Sequence, residues 1–227
     1  MSTPSNVSNA LNIPQARFNM IEQQIRPWDV HDPVVLELLD RVKREDFVPE
    51  EHRALAFVDM ALPLPEGQAM LQPKVVARLM QELQVKPHER VLEIGAGSGY
   101  LTAMLASCAK QVVSLEISPT LVALTQANLK RAGFTNVEVR QADGAKDQSA
   151  LGAFDVIVLS GSVASVPPEL LGQLKVGGRL AAIVGEEPVM RATFVTHTGD
   201  KQFATRQPWD IHAPRLLNFA ETSGFQF

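Results

Sequence analysis

The chain has 227 residues, 45% of them hydrophobic, enough for one sizeable core and a single-domain reading over 1–227. A net charge of -4, from 21 basic and 25 acidic residues, argues against a broad basic surface and so against nucleic acid as a partner. No apolar run reaches the ~18 residues of a membrane span, the single cysteine, Cys108, excludes an internal disulfide, and the five histidines lack metal-ligand spacing.

The opening residues carry neither a charge cluster nor a continuous apolar stretch, so no targeting peptide is expected and the cytoplasm is the default compartment. Residues 1–84 read as a helical and looped extension that contributes to the active site. Pro33 opens the helical pattern "PVVLELLDRVKR" and Pro73 opens "PKVVARLMQELQV", since proline is tolerated in a first helical turn. Between them "DMALPLPEGQAMLQP" is too rich in Pro and Gly for a regular element and reads as a loop.

Residues 85–185 alternate short β-branched runs with helical patterns: "RVLEI", "YLTAMLASCA", "QVVSLEI", "SPTLVALTQANLKRAG", "VEVRQAD", "FDVIVLS", the helix-like "PPELLGQLK" and "GRLAAIVG". Such alternation predicts successive βαβ units, hence an α/β fold with a doubly wound, mostly parallel sheet covered by helices. In residues 186–227, "VMRATFVTHTGDKQFATRQPWDI" predicts two strands joined at Gly199 and Asp200, an antiparallel edge followed by a tail.

The segment "VLEIGAGSGY" (Val91 to Tyr100) places a strand, an acidic residue and three glycines in ten positions. A glycine-rich turn between a strand and a helix lets the backbone approach a bound molecule closely. Gly95, Gly97 and Gly99 are spaced G-x-G-x-G, which departs from the G-x-G-x-x-G of dinucleotide sites. Glu93 would repel a pyrophosphate and attract an ammonium group. Glu116 closes the second strand, where an acidic side chain accepts from ribose hydroxyls; Asp143, followed by Gly144, closes the third, where a carboxylate accepts from an adenine amine. Three carboxylates at three strand ends match S-adenosylmethionine better than NAD. The alternative is a tight βα turn beside solvated carboxylates. Tyr100, at the start of the next helix, either flanks the ligand or packs in the core.

Taken together with "MIEQQI" (Met20 to Ile25), "REDFVP" (Arg44 to Pro49), "LPLPEGQ" ending at Gln68, "ADG" (Ala142 to Gly144) and "QLKVGGRL" (Gln173 to Leu180), the sequence resembles the protein-L-isoaspartate O-methyltransferases. These are class I methyltransferases that repair isomerised aspartyl residues in aged proteins. The resemblance covers nearly the whole chain and implies S-adenosylmethionine as cofactor and a damaged protein or peptide as partner, with a monomer as the default. It implies that Glu93, Gly95, Ala96, Gly97, Ser98, Gly99 and Tyr100, with Glu116 and Ile117, hold the methionine and ribose, and that Asp143 and Gly144 hold the adenine. The family reads Thr-x-Ser-x-Pro after Gly-Gln, with hydroxyls beside the transferring methyl. Here the stretch is Ala69, Met70, Leu71, Gln72, Pro73, and both hydroxyls are gone. Met70 and Leu71 are either a packed loop apex or an apolar wall facing the substrate.

Loss of the hydroxyls is compatible with carboxyl methylation, because in-line transfer from a sulfonium needs alignment and a carboxylate acceptor with a pKa near ~4 needs no general base. Ala69, Leu71 and Ser160 are the positions expected to line the transfer site. Ser160 and Ser162, in "SGSVASVPPELL", are read as a strand-end loop on the same crevice, whose hydroxyls are either simply solvated or partly replace the missing ones. The rival readings are a methyltransferase acting on a different, apolar substrate and a cofactor-binding module with little turnover.

Overall fold

The computed structural model describes residues 12–221. The opening residues, where no targeting peptide is expected, and the end of the tail lie outside that range. The chain begins with α1 (Ile13–Met20), capped by the Asn12 side chain, which accepts from the Gln15 amide. It runs through a π-turn and a 3₁₀ turn ending at Trp28 into α2 (Pro33–Arg41), where Asp32 accepts from the Val34 amide. The stretch expected to be a plain loop contains two very short strands, β1 (Leu62–Pro63) and β2 (Ala69–Met70), paired antiparallel. Two residues per strand are too few to show an alternating pattern in sequence.

The remaining elements are α3 (Pro73–Leu83), β3 (Arg90–Ile94), α4 (Tyr100–Ala106), β4 (Gln111–Glu116), α5 (Pro119–Arg131), β5 (Val137–Gln141), β6 (Phe154–Val163), α6 (Pro168–Leu171), β7 (Leu174–Glu186), β8 (Val189–Gly199) and β9 (Gln202–Asp210). They form a seven-stranded sheet in the order β5-β4-β3-β6-β7-β8-β9. The pairings are parallel as far as β7; β8 and β9 then turn back antiparallel, joined at the expected Gly199 and Asp200. Strand order reverses at β3, which has β4 on one side and β6 on the other, so a crevice opens beyond the carboxyl ends of β3 and β6.

The two faces of the sheet are covered differently. Val91, Val112, Val156 and Ile183 face a core shared with α2, α3, α4 and α5. Leu92, Val113, Ile157 and Leu180 face the other way, onto a smaller core closed by Leu170 of α6, with Leu216 and Phe219 of the C-terminal segment packed against it. The helix expected across "PPELLGQLK" is one turn long, because Gly172 follows and β7 begins at Leu174. Cys108 is half-buried, and burial pushes its thiol pKa up. Among the described residues no helix is long and apolar enough to cross a membrane.

Candidate functional site

The loop from β3 to α4 turns back over the end of β4. Gly95, Gly97 and Gly99 have φ of 91°, 57° and 83°, the left-handed region that glycine enters at no steric cost. The amides of Gly95 and Ala96 both donate to the Leu115 carbonyl (2.8 and 3.3 Å), and that of Gly97 donates to Glu116 Oε2 (2.9 Å). From behind, α5 braces the turn: Thr125 Oγ1 donates to the Gly97 carbonyl and Asn128 Nδ2 to that of Ser98, each at 2.9 Å. The N–H groups of Gly95, Ala96 and Gly97 are therefore satisfied within the protein.

A cleft of about 580 Å³ lies on this loop. Gly95, Gly97, Glu116, Ile117, Asp143 and Gly144 line it, so the expected strand-end positions of β4 and β5 converge on one space. Glu116 is buried, and its Oε1 accepts from the Ser118 amide at 3.1 Å, which leaves each oxygen one lone pair for a ligand. Asp143 Oδ1 accepts from the Ala145 amide at 3.1 Å. Gly144 is required by packing, because a Cβ there would collide with Ile94.

A second chamber of about 310 Å³ shares Ala69, Gly95, Gly97 and Ser160 with the cleft. Met70, Leu71, Val76 and Leu101 supply its apolar wall, and Ala96, Ser98 and Tyr100 also border it. Met70 and Leu71 are each buried in the core and each line the chamber. Leu71 is held by Arg44, whose Nη2 donates to its carbonyl at 3.0 Å while Nε donates to that of Ala56 at 3.1 Å.

Glu93 lines this chamber and is fully buried. Its Oε2 accepts from Thr102 Oγ1 (2.5 Å) and Ser114 Oγ (2.7 Å), and Oε1 from Ser160 Oγ (2.9 Å). Burial pushes the carboxyl up to about 7 despite those three donors, with the charge of Glu116 adding to the shift. Thr102 and Ser114 were not among the candidates, although Ser114 in "QVVSLE" carried a signal: a lone hydroxyl inside an apolar strand.

The Ser160 to Ser162 stretch is not a loop. It belongs to β6, whose register against β7 shifts between Val158 and Ser162. The hydrogen of Ser160 is directed to Glu93, and Ser162, fully buried, donates to the Ala213 carbonyl at 2.8 Å. Neither hydroxyl points a donor into the chamber. Tyr100 packs in the core, with its ring 5.7 Å from that of Phe47 and beneath the Arg44 guanidinium, and it also borders the chamber. Burial raises its phenol to about 12.

Residues 15–211 match a family model described as protein-L-isoaspartate(D-aspartate) O-methyltransferase. The chain is 40% identical over 202 residues to protein-L-isoaspartate O-methyltransferase 2 of Marinobacter nauticus, covering 88% of this chain and 92% of the relative. It is 40% identical over 172 residues to the protein-L-isoaspartate O-methyltransferase of Herpetosiphon aurantiacus, covering 76% and 77%. Among solved structures, a putative protein-L-isoaspartate O-methyltransferase from Plasmodium falciparum in complex with S-adenosyl-L-homocysteine superimposes with a TM-score of 0.77 at 21% identity, over 90% of this chain and 98% of that one. That likeness shows the shared fold.

Proposed function

The chain belongs to the protein-L-isoaspartate(D-aspartate) O-methyltransferase family, and on that premise we propose that it methylates the free carboxylate of isoaspartyl residues in damaged proteins, with S-adenosylmethionine as cofactor. The observation that carries the reading is the seam between the two chambers. Ala69, Gly95, Gly97 and Ser160 border both, so a ligand whose nucleoside fills the cleft can extend its methionine end into the second chamber towards Glu93 and meet an acceptor at the apolar wall there. The cleft fits this cofactor better than a dinucleotide, because the amides of Gly95, Ala96 and Gly97 already have partners and cannot cradle phosphate.

Glu93 is assigned to the cofactor ammonium, through the remaining capacity of Oε1, and the loop from Gly95 to Tyr100 gives the methionine end its shape. Glu116 is assigned to the ribose hydroxyls, Ile117 to an apolar contact beside them, and Asp143 with Gly144 to the adenine. When bound, S-adenosylmethionine supplies an electrophilic methyl group on a sulfonium. The chain's own residues align and desolvate the acceptor: Ala69, Met70 and Leu71 exclude water, and an acceptor carboxylate, ionised at neutral pH, needs no base. Replacing Glu116 by alanine is expected to raise the S-adenosylhomocysteine Kd at least about tenfold by calorimetry, with NAD not binding. An unchanged Kd would sink the ribose assignment.

The apolar wall favours one rival, a less polar acceptor in the same chamber, and a methyl-transfer assay separates the two. With an isoaspartyl peptide and labelled methyl donor, the wild type should show measurable but weak transfer. Ala69→Thr/Leu71→Ser should raise kcat/KM on the order of tenfold by restoring one oriented hydrogen bond in the transition state. Because Leu71 is buried in the core, the same change lowers thermal stability, so rates are compared well below both melting temperatures. Cofactor affinity should change little. No transfer by either protein overturns the repair reading and moves the apolar substrate to first place.

A further inference from the structure

Residues Ala213 to Phe219 follow the last strand and lie across the mouth of the crevice. Their course is fixed by paired backbone groups: the Ser162 amide donates to the Pro214 carbonyl (2.7 Å) and the Leu216 amide to the Ser162 carbonyl (2.9 Å), a parallel bridge onto the end of β6. Arg215 anchors the segment further, with Nη1 donating to the Gly185 carbonyl at 2.7 Å and Nη2 3.1 Å from Glu221. Leu216 then packs so closely on the glycine turn that a Cβ at Gly95 would come within 2.8 Å of its Cδ2. Leu216, Leu217 and Phe219 line the cleft.

Asn218 completes the arrangement. It occupies the left-handed region at φ 65°, which asparagine tolerates, and its Nδ2 donates to Asp143 Oδ2 at 2.9 Å. Asp143 thus has one oxygen held by the tail, with the exposed Lys146 ammonium 4.0 Å from the same oxygen, and the other held by its own loop, which fixes the plane of the carboxylate while leaving lone pairs free. We propose that Asn218 is a cofactor-positioning residue that clasps the C-terminal segment onto Asp143, making that segment the outer wall of the cleft and setting how fast the cofactor leaves. The proposal rests on the assignment of the cleft to S-adenosylmethionine. A neutral amide suits the task. It orients the carboxylate without cancelling the charge that accepts from an adenine amine, and a single hydrogen bond can break when the wall lifts.

The test follows release of labelled S-adenosylhomocysteine from the full chain by chase with unlabelled ligand. Asn218→Gly keeps the left-handed backbone and deletes the amide, and should raise the dissociation rate roughly five- to tenfold with the association rate nearly unchanged. Asn218→Asp sets a second carboxylate against Asp143 and should raise it further. In the wild type, ligand should slow hydrogen exchange at the Leu216 and Ser162 amides. If the wild type binds no S-adenosylhomocysteine, the cofactor reading falls and the clasp with it. Normal binding with release rates within twofold of wild type in both variants, or with exchange at those amides unmoved by ligand, overturns the clasp alone.

Discussion

Replacing Glu93 by glutamine is expected to weaken S-adenosylhomocysteine binding about a hundredfold at pH 8 and to remove the pH dependence of binding that the wild type shows below neutrality. The carboxylate is fully buried and faces Thr102 on α4, Ser114 on β4 and Ser160 on β6, all hydroxyl donors, while the charge of Glu116 repels it. No cation among the described residues pairs with it. A ligand ammonium would complete the site, and truncating one partner of such a buried charge pair costs roughly 2 to 5 kcal/mol, of which a hundredfold in Kd is about 2.7. With the carboxyl at about 7 in the ligand-free protein, binding an ammonium displaces a proton below that pH. Affinity should fall about tenfold per pH unit from 7 towards 5.5 and level off above 8. Calorimetry at pH 6 in two buffers of different ionisation enthalpy should register the released proton. The folded-state value lies above the ordinary 4.5, so this group's contribution to stability is greatest below 4.5 and is lost as pH rises through about 7. Glu93→Gln should flatten that slope in urea titrations of the ligand-free protein. A wild-type affinity constant from pH 5.5 to 8 would remove Glu93 from the cofactor site.

The parts of this site legible in the sequence are those whose physics is local. The glycine turn, Glu93, Glu116 and Asp143 each sit at the end of a short β-branched run, and parallel topology carries all such ends to one edge of the sheet. What sequence could not show depends on pairs far apart in the chain. Asn218 meets Asp143 across 75 residues, and nothing periodic in "RLLNFAE" marks it as a wall of the cleft. The end of β6 was also read too early, as a loop, because Ser162 and Val163 pair with Ile183 and Val184 of β7 only after a register shift, and the further bridge onto Ser162 comes from Arg215 in the tail. The missing hydroxyls at Ala69 and Leu71 were visible. That the Ser160 hydroxyl donates to Glu93, 67 residues earlier, was not.

Arg44 was passed over within a motif, and its removal is expected to have the largest effect on stability. The side chain is fully buried, with 0% of its surface exposed, and bonds two carbonyls from different segments: Ala56, in the turn before β1, and Leu71, in the wall of the transfer chamber. Its guanidinium stands 5.2 Å from the Tyr100 ring centroid, and burial lowers its pKa to about 10, so it stays charged at neutral pH. Arg44→Ala leaves both carbonyls without a donor and opens a cavity under Tyr100. Two orphaned buried acceptors at ~1 to 3 kcal/mol each, plus the cavity, predict a loss of roughly 4 kcal/mol or more in urea unfolding. Arg44→Met separates packing from positioning. It fills much of the space and removes a desolvated charge that has no carboxylate partner, so its stability cost should be about half that of alanine. It cannot hold the Leu71 carbonyl, however, and the chamber wall loses its anchor. Methyl transfer to the isoaspartyl peptide should therefore fall in kcat by at least about tenfold in Arg44→Met at a temperature where the protein is fully folded, with the S-adenosylhomocysteine Kd within twofold of wild type. A methionine variant with wild-type kcat would reduce Arg44 to a packing residue. One with a weakened Kd and normal kcat would place its influence on the glycine turn, through Tyr100, instead of on the Ala69 to Leu71 wall.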